Sequence, residues 1–382
     1  MPGRATEIEY MTQVPVNNPL VTSLSLLVRY GLGLNANDNE LHAEVLKAAD
    51  WALVYRYAAA HGLAAVAWDG LSRLVQEGRV DVPKELKLRW FGHTMMAERR
   101  YAAQKTALLS LAEALEGIPM RVVVMKGAAV AESYPMPKHR ECGDVDVLPL
   151  DGSAEQLRDL LLGLGAKIGV DSPKHIEMEF RGVTFEVHRE FVSTMLLKPY
   201  RHLNAKLLSL ALKGRPLFGS EKLVCPPAEF DALFLTAHAA NHFKSEGIMW
   251  RHVVDAWLAT DAALPSEKEL QRYGLVRFAR AVYDVGAWFF SSDNQSASML
   301  SADARLLTED IGGLIDKRPT KGGLFQRKWQ RFWSRRKVCR LAGEPFYKIF
   351  WRSVWAHLRQ PAAIGRGVGD FCFLTYENET NS

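Results

Sequence analysis

Hydrophobic positions follow three regimes along the chain. From about Leu20 to Gly117 they recur at helical spacing. Leu108, Leu111, Ala112 and Leu115 mark one face of a helix inside Lys105 to Glu116, a stretch without Gly or Pro. Asp50 to Leu74, rich in Ala, Leu, Trp and Tyr, predicts one or two packed helices punctuated by Gly62, Gly78 and Pro83. The middle third changes period. Arg121 to Met125 is a β-branched run, Ala128 to Ser133 reads as a helix opening after a tight turn, and Tyr134-Pro135 and Pro137 stop it. Cys142 to Leu148 predicts a strand and Glu155 to Gly163 a helix. Ile176 to Phe180 and Val183 to His188 alternate strictly and predict a hairpin turned at Arg181-Gly182. After Pro226-Pro227 the helical period returns, with Phe230, Leu233, Phe234 and Ala237 on one face and further helices to about Leu374.

The expected architecture is therefore α+β and helix-rich. A polar tail (1–19) and an N-terminal helical region (20–120) precede a small mixed-sheet α/β core (121–225), and a C-terminal helical region (226–382) follows. A chain of 382 residues can bury the cores of two or three domains. Its net charge of +5 is too mild to demand nucleic acid by itself. Cys142, Cys225, Cys339 and Cys372 show no paired spacing, which argues against a zinc site or a disulfide framework and fits a reducing compartment. No apolar stretch is long enough to span a bilayer, and Met1 to Val14 lacks the apolar segment of a signal peptide. A cytoplasmic location is the expectation.

The chemistry concentrates in Gly143-Asp144-Val145-Asp146-Val147-Leu148. In a strand, Asp144 and Asp146 share one face while Val145 and Val147 enter the core. Two adjacent like charges repel, and a hard divalent cation such as Mg²⁺ removes that objection by taking carboxylate oxygens. Metal-assisted phosphoryl or nucleotidyl transfer needs a third acid aimed at the same point. Glu186 fills that role in Val183–His188, because Val183, Phe185 and Val187 take one face and Glu186 and His188 the other. Glu177 and Glu179 alternate the same way on the preceding strand and are expected on the solvated face of an edge strand.

Lys126-Gly127-Ala128, Tyr134-Pro135, Arg140, Asp144-Val145-Asp146-Val147-Leu148 and Phe185-Glu186-Val187-His188, in that order, resemble the bacterial uncharacterised nucleotidyltransferase family within the polymerase-β-like superfamily. The resemblance continues at His238, His242, Trp250-Arg251 and Asp255 and covers roughly residues 50–260. It implies a nucleotidyltransferase core, Mg²⁺ dependence with Mn²⁺ as substitute, and an NTP donor, ATP by default. It also implies an acceptor attacked at the α-phosphate with release of pyrophosphate. Asp144 and Asp146 would hold the metals and Glu186 would be the third carboxylate. The superfamily's usual glycine-serine turn is Gly127-Ala128 here, so phosphate contact at the turn falls to backbone N–H groups or to Lys126.

Several residues carry two readings. Lys126 is either a phosphate ligand or the ion-pair partner of an aspartate. Arg140 forks onto phosphate oxygens or is a solvated or paired charge. His188 touches phosphate or is a satisfied strand-end histidine. His238 and His242 stand one helical turn apart, which is also a metal-ligand spacing. His238, however, continues the face of Phe230 and Phe234 as a buried histidine would, and it is a candidate lining of the cleft. Arg251 and Asp255 pair at helical spacing and pin the helical region to the core, or line the nucleotide cleft.

Residues 317–340 carry ten basic side chains, from Lys317 to Arg340, with Phe325, Trp329, Phe332 and Trp333 among them, and aromatics continue through the segment 317–359. A solvated helix face with its aromatics in the core ranks first, then a phosphate-rich or acidic partner, then a membrane surface. The leading functional expectation is a Mg²⁺-dependent nucleotidyltransferase whose acceptor hydroxyl belongs to a small molecule, peptide, protein or RNA end. The alternative is a catalytically weak nucleotide-binding or interaction protein working through the basic segment.

Overall fold

A computed structural model describes residues 18–34, 40–193, 200–245, 247–291, 300–312, 341, 347–348 and 351. The basic run 317–340 lies outside them, as does the tail 1–17. Among the described residues, thirteen helices surround one seven-stranded mixed sheet, which is the helix-rich α+β class. No helix among them is long and apolar enough to cross a membrane.

The N-terminal helices are α1 (Pro19–Gly31), α2 (Glu40–Lys47), α3 (Trp51–Ala60), α4 (Ala64–Gln76) and α5 (Lys84–Ala114). Asn18 and Asp50 cap α1 and α3 by accepting from backbone N–H groups of the first turn. Helices α1 and α4 approach until backbones touch. A Cβ on Gly70 would sit 2.0 Å from the Leu27 carbonyl oxygen, and one on Gly31 would sit 2.1 Å from that of Val66.

The sheet is built from β1 (Val122–Met125), β2 (Val145–Pro149), β3 (Lys167–Asp171), β4 (His175–Phe180), β5 (Val183–His188), β6 (Arg215–Leu217) and β7 (Ser220–Cys225). Their spatial order is β3-β4-β5-β2-β1-β7-β6. The pairs β2–β5 and β1–β7 are parallel and the remainder antiparallel. All four residues of β1 are buried, as a central strand covered on both faces requires. Between strands lie α6 (Gly127–Ala131), α7 (Ala154–Gly163), opened by a Ser153–Gln156 capping box, and α8 (Tyr200–Ala211). Then follow α9 (Ala228–Ser245), α10 (Trp250–Ala262), α11 (Glu267–Tyr273), α12 (Val276–Phe290) and α13 (Ala302–Gly312).

The sheet divides the core in two. On one face Val122, Val124, Val145, Val147, Ile176, Phe185 and Val187 pack with Leu108 and Leu111 of α5 and Leu157 and Leu161 of α7. On the other, Val123, Met125, Leu148 and Val224 join one cluster formed by α1, α3, α4 and the helices from α9 onward. The two ends of the described helical array meet there, where Ser25 donates to the Phe289 carbonyl and Arg29 to the Ser291 carbonyl.

Two expectations change. The aspartate strand begins at Val145, not Cys142, because residues 139–141 are bonded to surrounding helices and Cys142 to the Asp144 carbonyl instead of a neighbouring strand, which leaves Asp144 just ahead of β2. The strand carrying Glu177 and Glu179 is no edge, since β3 pairs outside it. β3 escapes a periodicity reading because every residue of it is exposed.

Candidate active site

Alternation along β2 turns Val145 and Val147 into one core and Asp146 with Leu148 toward the helices of the other. On parallel β5, Glu186 is the register partner of Asp146 and therefore shares its face. Asp144 stands two residues before Asp146, and one carboxylate oxygen from each of Asp144, Asp146 and Glu186 falls within 4.8 Å of the others. The three acids expected from the sequence are thus brought together in the gap between the sheet and α9–α10.

The loop that delivers the aspartates is held residue by residue. His139 lies between Asp69 at 2.7 Å and Glu98 at 2.8 Å. Arg140 donates through Nη2 to Asp255 Oδ2 at 2.6 Å and through Nε to Oδ1 at 3.3 Å. Glu141 accepts from the Ala65 backbone N–H at 3.1 Å and lies 3.1 Å from His93 Nε2. Its carbonyl accepts from Arg251 Nη1 at 2.9 Å, and the Cys142 thiol bonds the Asp144 carbonyl. Helices from both sides of the chain therefore fix where Asp144 and Asp146 stand, the condition for preorganised charge.

The turn after β1 places the cation. Lys126 adopts φ 51°, unusual for a residue with a Cβ, and Gly127 follows at φ 34°. A Cβ on Gly127 would meet Cys142 Sγ at 2.7 Å, so the turn and the aspartate loop approach to glycine-only distance. Lys126 Nζ sits 2.8 Å from Asp146 Oδ1 and 3.5 Å from His238 Nε2. Burial alone would lower the Lys126 pKa, but the Asp146, Asp144 and Glu186 carboxylates outweigh it and raise it. The Asp146 charge, followed by burial, pushes Asp144 up. Asp146 moves the other way, because Lys126 and His188 outweigh the burial that would raise it. Glu186 is likewise lowered, the His188 hydrogen bond overcoming burial.

His188 Nε2 lies 2.8 Å from Asp146 Oδ1 and 3.3 Å from Glu186 Oε2. His175, which the sequence reading did not single out, brings Nδ1 to 3.5 Å from Glu186. The signal was available, since His175, Glu177 and Glu179 alternate against Ile176, Met178 and Phe180. Burial drops the His175 pKa to about 4. Glu177 is the cross-strand partner of Glu186 and is half-buried on the same face, while Glu179 is exposed.

Opposite the carboxylates α9 and α10 present three imidazoles. The rings of His238 and His242 lie 4.3 Å apart and those of His242 and His252 5.7 Å apart. Burial and the neighbouring Lys126 push His238 well below its usual pKa, and burial does the same to His252, so both are neutral near pH 7. His252 was also missed by the sequence reading; its Nδ1 accepts from the Met249 backbone N–H and caps α10.

For the remaining candidates the structure shows paired charges, with partners other than those the spacing suggested. Arg140 is buried and spent on Asp255, so it is not free to fork onto a phosphate. Asp255 takes Arg140 and the Tyr134 hydroxyl, 2.7 Å away, instead of Arg251. The helical region is pinned to the core through Arg140–Asp255 and Arg251–Glu141, because the α10 face that carries Asp255 looks into the loop and not along its own helix. Arg251 is half-buried against Gly62 and the Glu141 carbonyl.

A family model described as uncharacterised nucleotidyltransferase matches residues 47–285, more than half of the chain. Among curated proteins and among solved structures none matches.

Proposed function

The chain belongs to the uncharacterised nucleotidyltransferase family, and on that footing we propose that it is a divalent-metal-dependent nucleotidyltransferase of the polymerase-β-like kind. It moves a nucleoside monophosphate from an NTP to an acceptor hydroxyl. The observation that carries this reading is the convergence of Asp144, Asp146 and Glu186 oxygens within 4.8 Å beside Lys126. Three carboxylates are an oxygen-only donor set suited to Mg²⁺ or Mn²⁺. The bound cation would neutralise charge developing on the transferred phosphoryl group.

Asp144 and Asp146 would hold the cation, which would supply positive charge to the α-phosphate. Lys126, set by its turn at the mouth of the cluster, supplies point charge to the triphosphate. The acceptor oxygen bonds to the α-phosphorus as the bond from that phosphorus to the bridging oxygen breaks, and pyrophosphate leaves with the electron pair. Glu186 takes the acceptor's proton. The backbone N–H groups of Gly127 and Ala128, at the start of the short helix after Lys126, would offer further hydrogen bonds to phosphate oxygens. His238 holds Lys126 from the helical side.

Calorimetric titration of ATP, GTP, CTP and UTP with Mg²⁺ tests this in wild type and in the Asp144→Asn/Asp146→Asn double variant. Metal-dependent binding of at least one NTP that disappears in the variant supports it. Equal binding by both proteins, or none by folded wild type, overturns it. One observation favours a second reading: Arg140, an expected phosphate ligand, is consumed inside the fold. A nucleotide-binding protein without turnover would bind NTP yet release no pyrophosphate across a broad acceptor screen.

A further inference from the structure

We propose that His175, Glu186 and His188 form a second cation site of mixed nitrogen and oxygen character, which takes Mn²⁺ or Zn²⁺ in preference to Mg²⁺. The three side chains share one sheet face at the adjoining ends of β4 and β5, where His175 and His188 are cross-strand partners. One donor atom from each falls within 4.8 Å of the others. Glu186 Oε2 is 3.5 Å from His175 Nδ1 and 3.3 Å from His188 Nε2. Donors ~2.1 Å from a zinc-sized ion at the corners of a tetrahedron stand ~3.4 Å apart. Both edges therefore already have the length that such an ion would set. Asp146 Oδ1 lies 2.8 Å from His188 Nε2 and also pairs with Lys126, so it borders the group without belonging to it.

The hydrogen bonding points the same way. His175 Nδ1 is buried and lies within ion-pair distance of Glu186, yet it makes no hydrogen bond. An imidazole present only to steady Glu186 would align its N–H on the oxygen. His188 Nδ1 is also buried without a partner, so the tautomer that frees Nε2 for a metal breaks no bond at Nδ1. Imidazole nitrogens suit Zn²⁺ and tolerate Mn²⁺, whereas Mg²⁺ keeps to oxygen and water. His188 also borders a cavity of about 260 Å³ shared with Ser153, Glu155 and Arg189. The site deepens the proposed metal dependence and adjoins it through Glu186, which both groups share, and through Asp146, which touches His188.

The test is Mn²⁺ titration of the metal-free full chain followed by electron paramagnetic resonance, with pulsed detection of ¹⁴N coupling. Wild type is expected to bind Mn²⁺ with imidazole nitrogen coupling, to release it to Zn²⁺, and to resist an excess of Mg²⁺. His175→Ala should weaken Mn²⁺ binding at this site at least ~10-fold and reduce the nitrogen coupling to that of one imidazole, while Asp144→Asn should retain the full coupling. If thermal melting shows His175→Ala to be poorly folded, His188→Gln serves as the second variant with the same expected loss. Bound Mn²⁺ without nitrogen coupling, displacement by Mg²⁺ at parity, or no Mn²⁺ binding overturns the site. Nitrogen coupling retained in a protein that binds no Mg²⁺–NTP would instead sink the nucleotidyltransferase reading and leave this one standing.

Discussion

Asp146 and Glu186, register partners across parallel β2 and β5, lie 2.8 and 3.3 Å from a single nitrogen, Nε2 of His188. Asp146 also holds Lys126, whereas Asp144 has no lysine, arginine or histidine in ion-pair range among the described residues. The two aspartates therefore play unequal parts in stability.

Asp146→Asn leaves Lys126 nearly buried without its counter-charge and should destabilise the fold by ~3 kcal/mol. Asp144→Asn relieves repulsion from Asp146 and should be neutral or slightly stabilising at pH 7. Both should lose Mg²⁺-dependent NTP binding. Urea titrations of the two variants beside calorimetry would show whether stability and binding separate in this way.

Arg140→Ala should act on stability and not on phosphate recognition. Removing the guanidinium leaves Asp255 buried against Tyr134 alone, a loss of ~3–5 kcal/mol. Arg140→Lys should recover only part of it, because an ammonium cannot reproduce the two-pronged contact. A folded fraction of Arg140→Lys that binds NTP as tightly as wild type is the expected result. A large drop in affinity with unchanged stability would return Arg140 to the ligand.

Metal affinity should fall with acidification at a higher pH than an isolated carboxylate would give. Asp144, raised by the Asp146 charge, must shed its proton before it can ligate. Protons therefore compete as pH falls through that raised value, and metal binding releases protons there. Calorimetry in buffers of different ionisation enthalpy reads the release directly. In Asp146→Asn the largest cause of the raised value is gone, and residual metal binding should persist to lower pH.

Asp231, in the first turn of α9, is buried, its Oδ1 has no hydrogen-bond partner, and its pKa is pushed up to about 8 by burial. The folded state thus keeps a proton that the unfolded chain releases near pH 4. This contribution is full below pH 4, declines as pH rises, and levels off above pH 8. Asp231→Asn should remove the slope, gaining about 4 kcal/mol relative to wild type between pH 5 and pH 8. Parallel denaturation curves at those two pH values would decide it.

What the chain discloses in advance divides by physical range. Local periodicity suffices for the β4–β5 hairpin, where Ile176, Met178 and Phe180 face Val183, Phe185 and Val187 across the Arg181-Gly182 turn. It suffices also for β1 and for the face that aligns Asp146 with Glu186. It fails for β3, whose Lys-Ile-Gly-Val-Asp has no buried side to announce, and for the short β6 and the β7 that follows it. Arg140 stays open in the sequence between phosphate ligand and paired charge because its partner lies more than a hundred residues away, and sequence spacing holds no trace of that pairing. His175 went unnoticed as the first residue of a strand whose pattern is set by its interior positions.

The bond between Arg140 and Asp255 spans 115 residues. During synthesis at roughly 5–20 residues per second, Asp255 emerges roughly 6–20 seconds after Arg140. Over that interval the cluster that holds Val123, Met125 and Leu148 lacks its C-terminal helices, and an arginine destined for burial has no anion. The nascent sheet is thus a candidate for chaperone capture, and a transcript interrupted after Cys225 would yield a sticky fragment instead of a smaller enzyme. Quality control, more than chemistry, then sets how much the chain tolerates changes in α10.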